Sequence, residues 1–349
     1  RFKHFLMKNI LNIAIVLVLA SNAFAGNGDR AGQAGATQLL INPYARSSGA
    51  GNSTISMTEG LESQFLNIGG LTKTKNSELI FCRTAWLMGT GISINSFGFS
   101  QKLGQKNFIA LGIMSLNMGQ IQITTTDLPE GGIGTYSPQF MNIGASYARQ
   151  FTSSISGGVT ARVISEQIAN IKALGMSIDA GIQYTTGSKK QIGFGMSLRN
   201  VGPKMRYYGD GLAVKAKFTG SDDEVTLQSR SQPFELPLLM NIGAHYRFDI
   251  GTQHQLFTSG AFTSNAFAKD QFCLGLEYRF KKIFMVRTGY VYEEGVFNSK
   301  TRTTALTGPT AGFSIEVPYK EKTLFAFDYS YRNTNPFQGV HSIGARICF

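Results

Sequence analysis

The sequence predicts an all-β protein: a fourteen-stranded antiparallel transmembrane β-barrel over residues 78–349, with an N-terminal hatch, residues 26–77, lodged in its lumen. Three observations predict it. From residue 78 onward, apolar and polar residues alternate with period two in segments about ten residues long. The segments are even in number, and short turns alternate with longer loops between them. The composition leans to glycine and aromatics, with 40 Gly, 26 Phe and 13 Tyr, and 15% of residues are charged against a usual share of roughly 25%.

At the N-terminus, Met7 and Lys8 precede the apolar run "ILNIAIVLVLA", and "SNAFA" places Ala23 and Ala25 in small-x-small spacing before Gly26. This is the pattern of a secretory signal peptide cleaved between Ala25 and Gly26. The run is shorter than the ~20 residues that span a bilayer as a helix. Loss of Arg1, Lys3 and Lys8 with that segment takes the formal charge from +12 to +9. The remaining cations are spread singly through strands and turns, which fits solvated turns and lipid contact at an outer membrane and argues against a nucleic-acid partner. Cys82, Cys273 and Cys348 are odd in number and lack metal-type spacing, so they set no disulfide framework; a bridge between Cys82 and Cys348 is the pairing that closure of the first strand on the last would allow.

Residues 26–77 are rich in Gly, Ser, Thr and Asn, with short apolar runs and no sustained period, and read as a compact irregular segment. The strands follow at 78–88, 91–103, 107–118, 139–150, 154–166, 174–186, 190–200, 236–248, 255–264, 270–280, 282–293, 306–317, 322–333 and 340–349. In "TLFAFDYSYR", Phe325, Phe327, Tyr329 and Tyr331 share one face, and Ala326, Asp328, Ser330 and Arg332 share the other. A soluble β-sandwich also alternates. Aromatics at strand ends, charged residues on the polar faces and the alternating last strand favour the barrel, because lipid offers the backbone no hydrogen-bond partner and a spanning sheet must close. The segment "MNIGA" occurs at Met141–Ala145 and again at Met240–Ala244, each after a long loop, as two strands with one lipid-facing pattern would.

The last strand, "HSIGARICF", sets Ile343, Ala345, Ile347 and Phe349 on one face. Ile347 and Phe349 are its candidate assembly signal, an alternating closing strand ending in an aromatic. Chemistry is sparse. His245, His254 and His341 form no metal motif, and no cofactor is expected. Ser156, Ser197 and His245 fall on polar faces without the arrangement a hydrolase needs, and Gly193–Phe194–Gly195 lies inside a strand with no following helix, where glycine lets a strand bend or the hatch approach. The expectation is a protein that is not an enzyme. The 201–235 connection is long enough to need a reason, and its Tyr207, Tyr208, Phe218 and Phe234 are candidate binding residues.

The stretches "LLINPYARSSGAGNSTIS", "GLESQFLNIGGL", "INSFGFSQKLG", "IQYTTG" and "FGMSLRNVGP" resemble the PorV/PorQ family of the type IX secretion system, whose barrels are similar to the FadL long-chain fatty-acid transporters. Where that superfamily has Asn-Pro-Ala-Gly-Leu in its hatch, this chain has Asn67, Ile68, Gly69, Gly70 and Leu71: Asn67, Gly70 and Leu71 match, and the proline and alanine are replaced. The resemblance implies an outer-membrane protein that binds the C-terminal signal domain of a secreted cargo, by its loops, and passes it from the translocon to the attachment machinery. The alternative it implies is passive transport of a hydrophobic small molecule, which a bulged wall and an apolar pocket beside Leu39–Ile41 would favour.

Overall fold

In the computed structural model the described residues are 30–220, 223–319 and 323–349; the expected signal peptide and its cleavage between Ala25 and Gly26 lie outside them. Fourteen strands form the wall: β1 Ser77–Ala85, β2 Ser93–Leu103, β3 Asn107–Asn117, β4 Gln139–Gln150, β5 Ile155–Ile168, β6 Ile171–Thr186, β7 Ile192–Val201, β8 Leu239–Ile250, β9 His254–Asn265, β10 Gln271–Phe280, β11 Phe284–Glu293, β12 Leu306–Tyr319, β13 Thr323–Thr334 and β14 Val340–Cys348. Each pairs antiparallel with the next, and β14 returns to β1 with Cys348 opposite Glu78 and His341 opposite Ala85. Phe349 and Ser77 exchange both backbone hydrogen bonds, at 2.9 and 3.0 Å, which ties the closing strand to the opening one. The barrel is closed and has no free edge.

The burial pattern is that of a membrane barrel and the reverse of a sandwich. Outward residues are large and apolar: Leu111 is 59% exposed, Met176 64% and Leu274 65%. Inward residues are polar and buried, among them Ser96, Thr160, Gln183, Ser314 and Arg346. In water this surface would be intolerable; in lipid it is what burial requires. Tyr147, Phe151, Tyr184, Tyr246, Phe248 and Phe325 sit outward near the turn end of the wall, at the level where aromatic rings meet headgroups. Both "MNIGA" segments keep one phase, with Asn142 and Asn241 buried inward and Ile143 and Ile242 exposed.

Three strand bounds differ from the sequence expectation by three residues and the rest by two or fewer; β8 starts at Leu239 instead of 236. β1 stops at Ala85 instead of 88, where Leu87 takes φ +49° and Trp86 N–H bonds Ile92 across a tight turn. β6 begins at Ile171 instead of 174, because Ala169 at φ +48° makes a two-residue turn where a longer connection was expected. The three cysteines are free: Cys82 lies opposite Gly344 and Cys348 opposite Glu78, so the register keeps them apart.

The hatch fills the lumen with short helical turns: α1 Ala45–Gly49, α2 Ser63–Leu66, and 3₁₀ turns at Thr37–Leu40, Ser53–Ser56, Gly60–Glu62 and Ile68–Lys73. Helices this short are unstable alone and persist through packing. Tyr44, Ile55, Leu61, Phe65, Leu66 and Leu71 form one apolar core with Ile80, Phe108 and Ala261 of the wall. Inward glycines permit the fit. A Cβ on Gly195 would stand 2.7 Å from the Ile55 carbonyl oxygen, so at this glycine of "GFG" the wall lets the hatch approach closely, while Gly193 makes room for the His245 ring.

Candidate functional site: a cavity between hatch and wall

The hatch is anchored at its centre by Asn67. Its amide donates to the carbonyls of Ile55 (3.0 Å) and Ile182 (2.9 Å), and its Oδ1 accepts from Gly69 N–H at 3.1 Å, capping the turn Ile68–Lys73. Gly70 lies against the Thr58 carbonyl, where a side chain would collide, and Leu71 is fully buried. Asn67 thus ties the hatch to β6, while Gly70 and Leu71 pack the hatch turn on itself and into the core, without the proline of the related pattern.

At the loop end the hatch leaves a cavity of about 380 Å³. Leu40 and Ile41 of the hatch, Trp86, Val291 and Leu306 of the wall region and Phe267 of the β9–β10 loop give it an apolar lining. The wall is irregular beside it. The ladder between β11 and β12 ends at Tyr290 opposite Pro309, leaving Val291–Glu293 paired only with β10. Between β12 and β13 the register jumps from Leu306/Thr334 to Thr310/Arg332, so Thr307–Pro309 face Asn333 alone. Pro309 has no N–H to give a ladder, and Gly308 takes φ +109°, which only glycine adopts readily. Outside this stretch Phe297, 79% exposed, stacks with Tyr290 at 6.2 Å and contacts Tyr292 at 6.1 Å.

Polar groups line the rest of the cavity, among them Asn52, Gln271, Glu293, Thr310 and Arg332. Arg332 is buried, lies over the Trp86 ring at 5.1 Å and donates to the Asn42 carbonyl at 3.3 Å. Glu293 accepts from Gln271 (2.9 Å) and Thr303 (2.6 Å). A concave apolar space with fixed polar groups is suited to holding a hydrophobic molecule.

The turn end is different in kind. Arg46 of the hatch pairs with Glu59 and Glu62, each at 3.7 Å, and reaches Glu316 of β12 at 4.0 Å. Arg346 pairs with Glu316, Asp328 and Glu78. Arg279 and Arg287 both engage Glu277. Desolvation opposes the charge on Glu59, but Arg279 and Arg46 outweigh it and hold that carboxyl at about 2.

The other candidates from the sequence are dispersed. Tyr207 donates to Glu166 and packs on Phe234 with centroids 5.6 Å apart, so both pin the base of the long loop to the barrel rim. Tyr208 and Phe218 are exposed, at 43% and 61%, and Lys172 lies over the Tyr208 ring. The loop carries a two-stranded ribbon, Ala213–Lys217 against Glu224–Gln228, with Val214 opposite Leu227. Ile347 pairs with Leu79 and Phe325 in the closing strand. His245 meets neither Ser156 nor Ser197; its Nδ1 lies 2.9 Å from the hydroxyl of Ser56, a fully buried hatch residue. That contact joins residues 189 apart in sequence, and no local signal announces it.

No protein-family profile matches the chain, and no curated protein matches it. Solved structures do. The toluene transporter TodX of Pseudomonas putida aligns over 88% of this chain and 97% of its own, with 10% identity and a TM-score of 0.57. The toluene transporter TbuX of Ralstonia pickettii aligns over the same shares with 12% identity and a TM-score of 0.54. A FadL homologue of Pseudomonas aeruginosa aligns over 88% and 99%, with 12% identity and a TM-score of 0.52. The chain therefore has the fold of the FadL-type outer-membrane barrels, a closed wall of fourteen strands around an N-terminal hatch.

Proposed function

We propose that the protein resides in the outer membrane and is a passive channel for a hydrophobic small molecule, which enters the 380 Å³ cavity at the loop end and leaves sideways into lipid where β11 and β12 part. The observation that carries this reading is the coincidence of two features built from distant residues: the apolar cavity beside Leu40 and Ile41, and the break in the ladder at Tyr290/Pro309 that forms its wall. The names of the structural relatives, two of them toluene transporters, point the same way. No chemical step is needed, and none of the lining groups is assigned a catalytic role. The test is uptake of a fluorescent hydrophobic probe into vesicles carrying the refolded protein. Filling the cavity with Val291→Trp lowers uptake several-fold while the barrel still folds; uptake equal to that of the native chain overturns the proposal.

A second reading, delivery of secreted cargo from translocon to attachment machinery as in type IX secretion, rests on the ribbon in the long loop. Val214, Phe218 and Leu227 are exposed, with Val214 and Leu227 facing each other across its two strands. Its partner would be a cargo C-terminal domain. Deletion of residues 213–228 would abolish capture of such a domain by the intact barrel and leave probe uptake unchanged; capture that survives deletion removes this reading.

A further inference from the structure

A second cavity, of about 330 Å³, opens at the turn end beneath the hatch. Its cations come from four separate places: Lys73 at the end of the hatch turn Ile68–Lys73, Lys190 in the β6–β7 turn, Arg247 on β8 and Arg279 on β10. One carboxylate, Glu59, lines the space with them and is already shared between Arg46 at 3.7 Å and Arg279 at 4.0 Å. Arg247 pairs with Asp249 at 3.1 Å, and Lys190 donates to the Ser153 carbonyl at 2.8 Å. Lys73 has no ion pair and no hydrogen bond among the described residues, and desolvation lowers the pKa of its ammonium, with Arg279 and Arg46 opposing Glu59 in the balance. Ser156 also lines the cavity. It is 8% exposed, and its hydroxyl makes no hydrogen bond among the described residues.

Gathering like charges around one cavity costs free energy unless something of opposite sign shares it, though solvent reaches Lys73 and Lys190 and screens part of that cost. An unpaired ammonium, two guanidinium groups already paired with Asp249 and with Glu277 and Glu59, a second ammonium and the free Ser156 hydroxyl converge from hatch and wall on a volume much larger than the roughly 30 Å³ share of one water. A tetrahedral oxyanion, with several acceptors and more than one negative charge, satisfies donors that arrive from different directions better than a single carboxylate does. We propose that this vestibule is a phosphate-binding site that joins the hatch, through Lys73, to the wall, through Arg247, Arg279 and Ser156. Inorganic phosphate and a phospholipid headgroup share that chemistry. The site is independent of the apolar cavity and stands whether or not the channel reading does.

The experiment titrates the full-length refolded barrel in neutral detergent by calorimetry, with two probes. Inorganic phosphate is compared with chloride at equal ionic strength, and dioctanoyl phosphatidylglycerol with uncharged dioctanoylglycerol. The expected result is saturable binding of a phosphate-bearing probe, weakened about tenfold in Lys73→Met and less in Ser156→Ala, because the first removes a charged donor and the second a neutral one. Lys106→Gln, at an exposed cation of the β2–β3 turn outside the cavity, leaves it unchanged. Binding of the lipid without binding of free phosphate identifies the ligand as a headgroup and supports the site. Failure of both probes to exceed their controls, or binding that neither Lys73→Met nor Ser156→Ala alters, overturns it.

Discussion

Among the described residues the wall contains two bulges, and they are treated in opposite ways. On β7, Arg199 and Asn200 together face Asp179 of β6, between the pairs Ile178/Val201 and Ala180/Leu198. Asn200 sits at φ +62°; its N–H bonds Asp179 at 2.7 Å and its amide donates to the Pro237 carbonyl at 2.8 Å. Arg162 closes the arrangement with an ion pair to Asp179 at 2.9 Å and a bond to Asn200 at 3.3 Å. Arg199 reaches inward to the hatch, donating to the Leu39 carbonyl at 3.1 Å and lying over the Phe65 ring at 4.0 Å, so the gap is filled by charge and hydrogen bonds from wall and hatch together. On β12 the extra residues Thr307–Pro309 meet a single amide bond from Asn333 to Thr307 (2.8 Å), and the space behind them is left as cavity. A bulge is thus no sign of an opening by itself; what decides is whether charge and hydrogen bonds fill the gap it makes.

That contrast is breakable. The largest effect is expected at the filled bulge: Arg162→Met strands Asp179 in a buried site and should cost about 3–5 kcal/mol, read as a lower denaturant midpoint for the refolded barrel. The hatch anchor comes next. Asn67→Leu removes the bonds to the Ile55 and Ile182 carbonyls, the first of which keeps the Gln183 amide at 3.2 Å, and the cap on Gly69, and should cost about 1–3 kcal/mol. Hydrogen exchange should quicken in residues 55–73 and stay slow in β10–β14; uniform loosening of the wall would show that Asn67 supports the barrel and not the hatch. At the open bulge, Pro309→Thr restores a ladder donor. It should change stability by less than about 1 kcal/mol while reducing probe uptake several-fold, so a stability effect with unchanged uptake would equate the two bulges. The smallest effect is at the ribbon, where Phe218→Ser should alter stability by no more than about 0.5 kcal/mol and leave uptake intact.

The wall was legible because each strand lies between two unlike surroundings. Lipid takes Leu111, Ile113, Ile143 and Phe327, the hatch takes polar partners, and the boundary between them writes a period of two into the chain. The bulge at Arg199–Asn200 is also written there, as two consecutive inward residues between exposed Leu198 and Val201, a phase break that alternation alone passes over. The early start of β6 was hidden because a two-residue turn at Ala169–Asn170 carries no glycine or proline. The cavity could not be read in the same way. It joins residues 31–52 of the hatch to Trp86 and to wall and loop residues beyond 260, and its volume depends on how far the hatch stands from β11 and β12. Tyr207 and Phe234 belong to a polar-rich loop in sequence and pack at the rim in space, and the Glu166 contact that holds Tyr207 there comes from β5, too distant in sequence to be read from the loop.

The central claim is that the cavity between hatch and wall is a hydrophobic binding site. The direct measurement is a crystal structure of the protein soaked with bromotoluene, with data collected for the anomalous signal of bromine. The account predicts a peak enclosed by Ile41, Val291 and Leu306 beside the β11–β12 break. Peaks confined to the outer lipid-facing wall, with the cavity empty, would contradict it.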